Sequence, residues 1–166
     1  MGLFDMFSGD SQEMTPHFAF ATSLIYMISA DGKIKNEEVG QLLAVLGGEE
    51  SDGAIGVGAN NGKLLERAIK YRQKNDVEKF LSEAVPILTD AQKMCILTNI
   101  LDSLLSDGHV AQEERELFGE LLEAFEISEE RFKPFFDVLT LKNDRSVFTK
   151  TNHPSNKAGY TVKLKL

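Results

Sequence analysis

Apolar residues recur at intervals of three and four along most of this chain, and that spacing predicts amphipathic α-helices. The first helix is predicted from Thr15-Pro16, a capping residue followed by the residue favoured at the first helical position. It continues to about residue 30, with an apolar stripe at Phe18, Ala21, Leu24, Ile25 and Ile28. Further helices are predicted over residues 36–46, 64–74, 76–85, 89–106 and 112–125, and from residue 128 onward. In the last one, Pro134 is expected to kink or restart the helix.

Strand-like alternation occurs only in residues 160–166, which have no second strand to pair with. The predicted fold class is therefore all-α, a single bundle of about seven helices. We expect three segments: a flexible amphipathic N-terminal tip over residues 1–11, a helical domain over residues 12–143, and a basic, mostly irregular tail over residues 144–166.

Two of the predicted helices end in the same short pattern, 76 residues apart. Asp31-Gly32 and Asp107-Gly108 are each followed by an aliphatic residue and then by two glutamates. Glycine suits such a helix end because it adopts the left-handed conformation at little cost. Aligned at the same offset, the apolar stripes of the flanking helices coincide. The sequence therefore predicts a duplicated helix–turn–helix hairpin whose two long helices pack together.

The distribution of charge narrows the choice of partners. The net charge is −8, but residues 1–130 carry −14 and residues 131–166 carry +6. An acidic body repels nucleic acid phosphates, so no nucleic acid partner is expected. The expected partner is a protein. The basic end could fold back on the body, meet an anionic partner or simply be solvated. The oligomeric state is left open.

Hydropathy and cysteine content indicate a cytoplasmic protein. No apolar run reaches the roughly 18–20 residues that a membrane span needs, and no secretory signal is evident. The sole cysteine, Cys95, is predicted to lie in a buried helical run and cannot form an internal disulfide. The glycine-rich residues 47–62 resemble a phosphate-binding loop only superficially, because Leu64 stands where Ser or Thr is required and no strand precedes the loop.

The acidic turns are the candidate metal site. Their pattern resembles the second half of a calcium-binding loop, but loop positions 1 and 3 fall on Met27 and Ser29, or on Ser103 and Leu105. A complete loop is therefore not expected. An ion shared by both turns would be Ca²⁺, Mg²⁺ or Mn²⁺, with ligands Asp31, Glu38, Asp107 and Glu114 and further candidates Glu37 and Glu113. The alternative needs no metal, because Asp-Gly ends one helix and glutamates favour the dipole of the next.

Nothing in the sequence indicates catalysis. No set of nucleophile and base is suggested, and the histidines at positions 17, 109 and 153 lack zinc-site spacing. No catalytic or cofactor-binding residue is predicted, and the expectation is a chain that is not an enzyme.

Three stretches resemble the TerB family of bacterial tellurite-resistance proteins: SADGKIKNEE, LSDGHVAQEE and FLSEAVPILTDAQKMCILTNILDSLLSDG. The resemblance spans about residues 14–143. It implies an all-helical fold of about seven helices, a cytoplasmic stress-response setting and no established catalytic activity. It also implies an acidic surface for metal cations, with Asp31, Glu38, Asp107 and Glu114 matching the acidic pattern, and work beside membrane-associated resistance proteins. A plain protein-binding adaptor without a metal role is the alternative function.

Overall fold

The computed structural model describes residues 13–34, 36–46, 61–106 and 108–160, with the side chains of residues 36–38 and 41 left undescribed. These residues form eight α-helices and no strand. The helices are α1 (Pro16–Ile28), α2 (Asn36–Val45), α3 (Asn61–Lys74), α4 (Val77–Ala84), α5 (Asp90–Ser106), α6 (Gln112–Ala124), α7 (Glu129–Asn143) and α8 (Ser146–Thr149). The all-α class is confirmed. The first seven helices follow the sequence prediction, and the short α8 is an addition.

Helix boundaries follow the local capping chemistry. The Thr15 hydroxyl accepts a hydrogen bond from the Phe18 amide at 3.2 Å, so this residue caps α1 as predicted. Before α5, Thr89 and Gln92 form a reciprocal capping box, with N–O distances of 2.8 and 3.2 Å. The predicted glycine-rich loop is too long by two residues, because Asn61 and Gly62 already belong to α3.

Pro134 does not restart the last long helix, as the sequence had suggested it could. A single helix α7 runs through it. Phe132 and Leu139, on either side of the proline, are both buried in the core. Packing on both sides therefore holds one helix together against a proline cost of about 3 kcal/mol.

Helix α1 forms the centre of the bundle. It packs against α2, α3, α4, α5 and α6, and ten of its 13 residues are buried. Helix α5 packs against α1 on one side and against α7 on another. Three aromatic rings join α1 to its neighbours: Tyr26 stacks on Phe80 at 5.0 Å, and Tyr71 meets Phe80 edge-on at 6.4 Å. The contact between α1 and α5 agrees with the predicted pairing of the two long helices, while the duplication itself stays a prediction.

The chain beyond α7 is held by polar contacts. The Asp144 carboxylate accepts hydrogen bonds from the Ser146 amide and hydroxyl and lies 2.9 Å from His153 Nε2. Asn156 donates to the Val147 carbonyl at 2.7 Å. The predicted N-terminal tip, most of the glycine-rich loop and the last six residues lie outside the described residues.

Candidate functional site

Both Asp-Gly turns have the predicted glycine conformation. Gly32 has φ +82° and Gly108 has φ +70°, values that favour glycine over any residue with a side chain. Each glycine amide donates to the carbonyl three residues earlier, Ser29 at 2.8 Å and Leu105 at 3.3 Å. The first turn differs in one detail, because α1 ends at Ile28 and is capped by Ser29 before Asp31 is reached.

The acidic side chains that the structure describes at these turns bind the protein's own backbone. The Asp31 carboxylate accepts a hydrogen bond from the Lys33 amide at 2.9 Å. The Glu114 carboxylate accepts one from the Ala111 amide at 2.8 Å, which caps the start of α6. Since Ala111 has no side-chain acceptor, Glu114 supplies the only side-chain half of this cap. Both contacts are the ones expected if these acidic residues stabilise the turn and the helix start and bind no metal. Glu113 is exposed in the first turn of α6.

The proposed shared ion site lies largely outside the described part of the chain. Asp107 is not described, and neither are the side chains of Glu37 and Glu38. Among the residues that are described, no three His, Cys, Asp or Glu side chains come close enough to hold a metal ion. Asp31, Glu113 and Glu114 therefore do not make a site without the others.

The aliphatic residue after each turn has a structural role. Ile34 and Val110 are partly buried and pack against the hydrophobic core. Each residue anchors the chain just before the next helix begins. The shared pattern of Asp-Gly and aliphatic residue is therefore accounted for by the tight turn that follows each helix and by packing.

A second surface was not identified from the sequence. Along one side of α7, Arg131, Phe135, Val138 and Lys142 recur at spacings of four, three and four residues, so they form one continuous row. We call this row the α7 flank. Phe135 is 43% exposed and Val138 is 38% exposed. An exposed apolar pair thus lies between two basic side chains.

Ion pairs with the neighbouring region of α5 hold both ends of the α7 flank. Arg131 lies 3.3 Å from Asp90, and Lys142 pairs with Asp102. Partial burial works to raise the pKa of Asp102, but hydrogen bonds from Lys142 and Asn143 outweigh it and hold that pKa below its ordinary value. The two basic side chains are therefore fixed beside the apolar pair.

The apolar centre of the α7 flank rests on the core. Phe135 stacks on Phe132 with ring centroids 5.9 Å apart, and Phe132 meets Phe118 of α6 at 5.6 Å. A row of three rings therefore runs from α6 to the surface. The helical periodicity of α7 alone does not distinguish Phe135 from a buried apolar position. Its spacing from Arg131 and Lys142 was the available signal, but only the structure shows which apolar residues stay exposed.

Cys95 is exposed, which corrects the prediction that it lies in a buried run. It borders a shallow apolar groove of about 170 Å³ between the starts of α1 and α5, lined also by Pro16, His17, Phe20, Leu88, Gln92 and Ile96. The apolar stripe of α5 runs through Ile96, Leu97 and Ile100 instead. Cys95 therefore stands beside that stripe rather than within it.

One comparison with known proteins identifies the family. The family model described as "Tellurite resistance protein TerB" matches residues 17–135, more than half of the chain. The chain belongs to the TerB family. The match covers both Asp-Gly turns, α1 from His17 onward and all of α2 to α6, and it ends inside α7 at Phe135. No curated protein and no solved structure matches the chain.

Membership of the TerB family agrees with the all-helical architecture. The family resemblance is carried by the two turns and by the segment leading into the second, all within the matched residues. None of the described helices combines the length and the apolar character needed to cross a membrane. Two of the four residues of the α7 flank, Val138 and Lys142, lie beyond the matched residues.

Proposed function

We propose that this TerB-family chain is a non-catalytic, cytoplasmic interaction module of a bacterial response to tellurite or related chemical stress. In this proposal it acts by binding a protein partner through the α7 flank. The observation that carries the proposal is the exposed pair of Phe135 and Val138, supported from below by stacked rings and bordered by fixed charges. An apolar centre within a polar rim is the usual anatomy of a protein-binding surface.

The α7 flank suits an amphipathic helix of the partner. A helix laid along α7 could place apolar residues at intervals of three and four against Phe135 and Val138. Arg131 and Lys142 would favour acidic residues at the two ends of that helix. The partner proposed here is therefore a helical segment with an apolar stripe and acidic flanks, including one on a membrane-associated resistance protein.

The test compares two neighbouring phenylalanines. Phe135→Ser removes the centre of the α7 flank, while Phe136→Ser removes an equally exposed ring (44%) on the other side of the same helix. In a bacterial host made dependent on this protein for survival on tellurite, we expect Phe135→Ser to abolish protection and Phe136→Ser to retain it. A photo-crosslinking residue at position 138 should capture one protein, and Phe135→Ser should prevent the capture.

Thermal unfolding of both variants separates loss of binding from loss of folding. The proposal requires that Phe135→Ser remain folded at the growth temperature, with a melting temperature close to that of Phe136→Ser. Equal protection by the two folded variants would show that the α7 flank is not the binding surface. If neither the unaltered protein nor any variant protects the host, the proposed role in tellurite stress is wrong.

A shared cation site is the second proposal, with Asp31, Glu38, Asp107 and Glu114 as ligands and Glu37 and Glu113 as further candidates. It is favoured by the fact that both Asp-Gly turns follow helices, α1 and α5, that pack against each other. Calorimetric titration with Ca²⁺, Mg²⁺, Mn²⁺ and Zn²⁺ tests it. The proposal expects heat with a hard cation that disappears in Asp31→Asn and in Asp107→Asn, and absence of heat at millimolar metal would refute it.

A further inference from the structure

Helix α3 carries an unusual charge for this acidic chain. It holds five basic residues and one acidic residue, a net charge of +4. Lys63, Arg67, Lys70 and Lys74 recur at intervals of four, three and four, so they lie along one side of the helix. All four side chains are exposed. We call Arg67, Lys70 and Lys74 the basic stripe.

The packing of α3 holds the basic stripe at the surface. The helix buries Leu64, Leu65, Ala68 and Tyr71 against the rest of the bundle, so the charged side faces solvent. The Arg67 guanidinium lies over the Phe18 ring of α1, 5.3 Å from its centroid, which orients this end of the stripe. Within the described residues, none of the three side chains of the basic stripe takes part in an ion pair.

Helix α6 has the opposite charge, and its acidic residues recur at the same intervals as the basic residues of α3. It holds five glutamates and one arginine, a net charge of −4. Glu116, Glu120 and Glu123 are exposed and recur at intervals of four and three, and we call them the acidic stripe. Glu116 accepts a hydrogen bond from Gln112, and no ion pair within the described part of the chain involves the acidic stripe.

The two stripes match when the helices run antiparallel. Three residues of a helix span about 4.5 Å and four residues about 6 Å. Read in opposite directions, the stripes have identical spacings, so three ion pairs can form together: Arg67 with Glu123, Lys70 with Glu120 and Lys74 with Glu116. The antiparallel arrangement also places opposite ends of the two helix dipoles side by side.

We propose that this chain associates with a second copy of itself, the basic stripe of one copy binding the acidic stripe of the other. Charge complementarity between the helices, +4 against −4, selects this partner. The inference is independent of the α7 flank. The net charge of −8 opposes association at long range. At about 0.1 M salt the Debye length is about 10 Å, which screens the whole-molecule repulsion more than the facing stripes.

The salt dependence of the mass is the first measurement. Sedimentation over a wide range of protein concentrations should give a mass above 18.4 kDa at about 0.1 M salt. At about 1 M salt, where the Debye length is about 3 Å, the mass should return to that of one chain. A mass of 18.4 kDa at every salt and protein concentration tested would overturn the proposal.

Charge reversal identifies the helices involved. Lys70→Glu with Lys74→Glu gives the basic stripe a net charge of −1, and Glu116→Lys with Glu120→Lys gives the acidic stripe a net charge of +1. Each double variant should be monomeric on its own because its two stripes then carry the same sign. An equal mixture of the two variants should associate, and the fourfold variant carrying all four changes should recover self-association.

A matched control separates the stripes from net charge. Lys150→Glu with Lys157→Glu changes the net charge from −8 to −12, as does reversal at positions 70 and 74, but at exposed residues outside both stripes. This control should still associate at about 0.1 M salt. Association of the position 70 and 74 variant on its own, or absence of association in the mixture, would reject the pairing of α3 with α6. Circular dichroism should show unchanged helicity in every variant, since all substituted side chains are exposed.

Discussion

The two hairpins, α1–α2 and α5–α6, share a sequence pattern but not an environment. Ten of the 13 residues of α1 are buried, against five of the 17 residues of α5. The aligned apolar stripes are buried in both copies: Leu24 and Ile25 in α1 correspond to Ile100 and Leu101 in α5. The stripe therefore fixes one packed face, while the position of the helix in the bundle decides whether the other faces are also covered.

Positions outside the stripe show the divergence. Ala19 of α1 is fully buried, and its counterpart 76 residues later is the exposed Cys95. In the second helices, Val45 of α2 is 38% exposed while the aligned Leu121 of α6 is fully buried. Because α1 contacts five other helices, it requires small or apolar residues all round. Helix α5 needs them only on the sides that meet α1, α6 and α7.

The largest expected loss of stability tests whether aligned buried positions of α1 and α5 are equivalent. Leu24→Ala and Ile100→Ala each remove most of a side chain that is at most 1% exposed. We expect each to lower the free energy of unfolding by about 2–5 kcal/mol, because the lost burial and the cavity both cost stability. Urea unfolding of both variants measures this. A small effect at one position only would show that the aligned stripes are not equivalent in the core.

The next largest loss of stability tests an aligned pair of positions that is buried in α1 and exposed in α5. Ala19→Leu inserts three carbons into a closely packed site and should cost about 1–3 kcal/mol. Cys95→Leu makes a similar change at the aligned exposed position, and its effect should stay within about 0.5 kcal/mol. Thermal unfolding of the two variants under reducing conditions gives the comparison. Equal destabilisation would mean that α5 is covered on this side as completely as α1.

These differences explain which parts of the structure were predictable. Helix positions, the cap at Thr15 and the left-handed glycines depend on neighbouring residues, so the sequence alone predicts them. Exposure of Cys95 and Phe135 depends on which helices lie nearby, which the periodicity of one helix does not encode. For the same reason, the α7 flank and the two charge stripes could be identified only once the structure showed which side chains are exposed.

A smaller effect concerns the pH dependence of stability, because one aligned position carries a tyrosine in α1 and an aspartate in α5. Tyr26 of α1 aligns with Asp102 of α5, and its hydroxyl donates to the carbonyls of Asn75 and Asp76 at 2.9 and 2.8 Å. Burial raises the pKa of Tyr26 from 10.0 to about 12, although Arg72 acts in the opposite direction. The stability supplied by Tyr26 is therefore fully present below pH 10.0 and is lost as the pH rises through about 12.

Tyr26→Phe should lower stability at neutral pH by about 1–2 kcal/mol, because the partly buried hydrogen bonds to the Asn75 and Asp76 carbonyls are lost. It should also weaken the alkaline loss of stability without removing it, since the pKa of Tyr71 is likewise raised by burial and by its hydrogen bond to Glu83. Chemical unfolding measured between pH 8 and pH 12 provides the curve. An unchanged alkaline slope in the variant would be incompatible with this account.

Asp102 should show the opposite dependence. Because its folded pKa lies below the ordinary 3.8, its contribution is present above that value and is lost as the pH falls through the folded pKa. Asp102→Asn should therefore flatten the acid side of the stability curve and leave the alkaline side unchanged. Acid unfolding of this variant beside Tyr26→Phe tests whether the aligned positions control opposite ends of the pH range.

The smallest effect concerns the glutamates that begin α2 and α6. Glu114→Gln keeps an oxygen acceptor for the Ala111 amide but removes the charge near the positive end of the helix dipole, so it should cost about 0.3–1 kcal/mol. If the duplication extends to this cap, Glu38→Gln should cost a similar amount at the start of α2. High salt should reduce both effects, because exposed charges near a helix end are screened.

The same two variants distinguish a cap from a metal ligand. A glutamate that only caps its helix gives equal losses with a chelator and with millimolar Ca²⁺, whereas a glutamate that binds a shared ion gives a larger loss when the ion is present. Thermal unfolding under both conditions therefore resolves the roles of Glu38 and Glu114 separately. A calcium-dependent loss at both positions would favour the shared site, and a calcium-independent loss at both would leave helix capping as their common role.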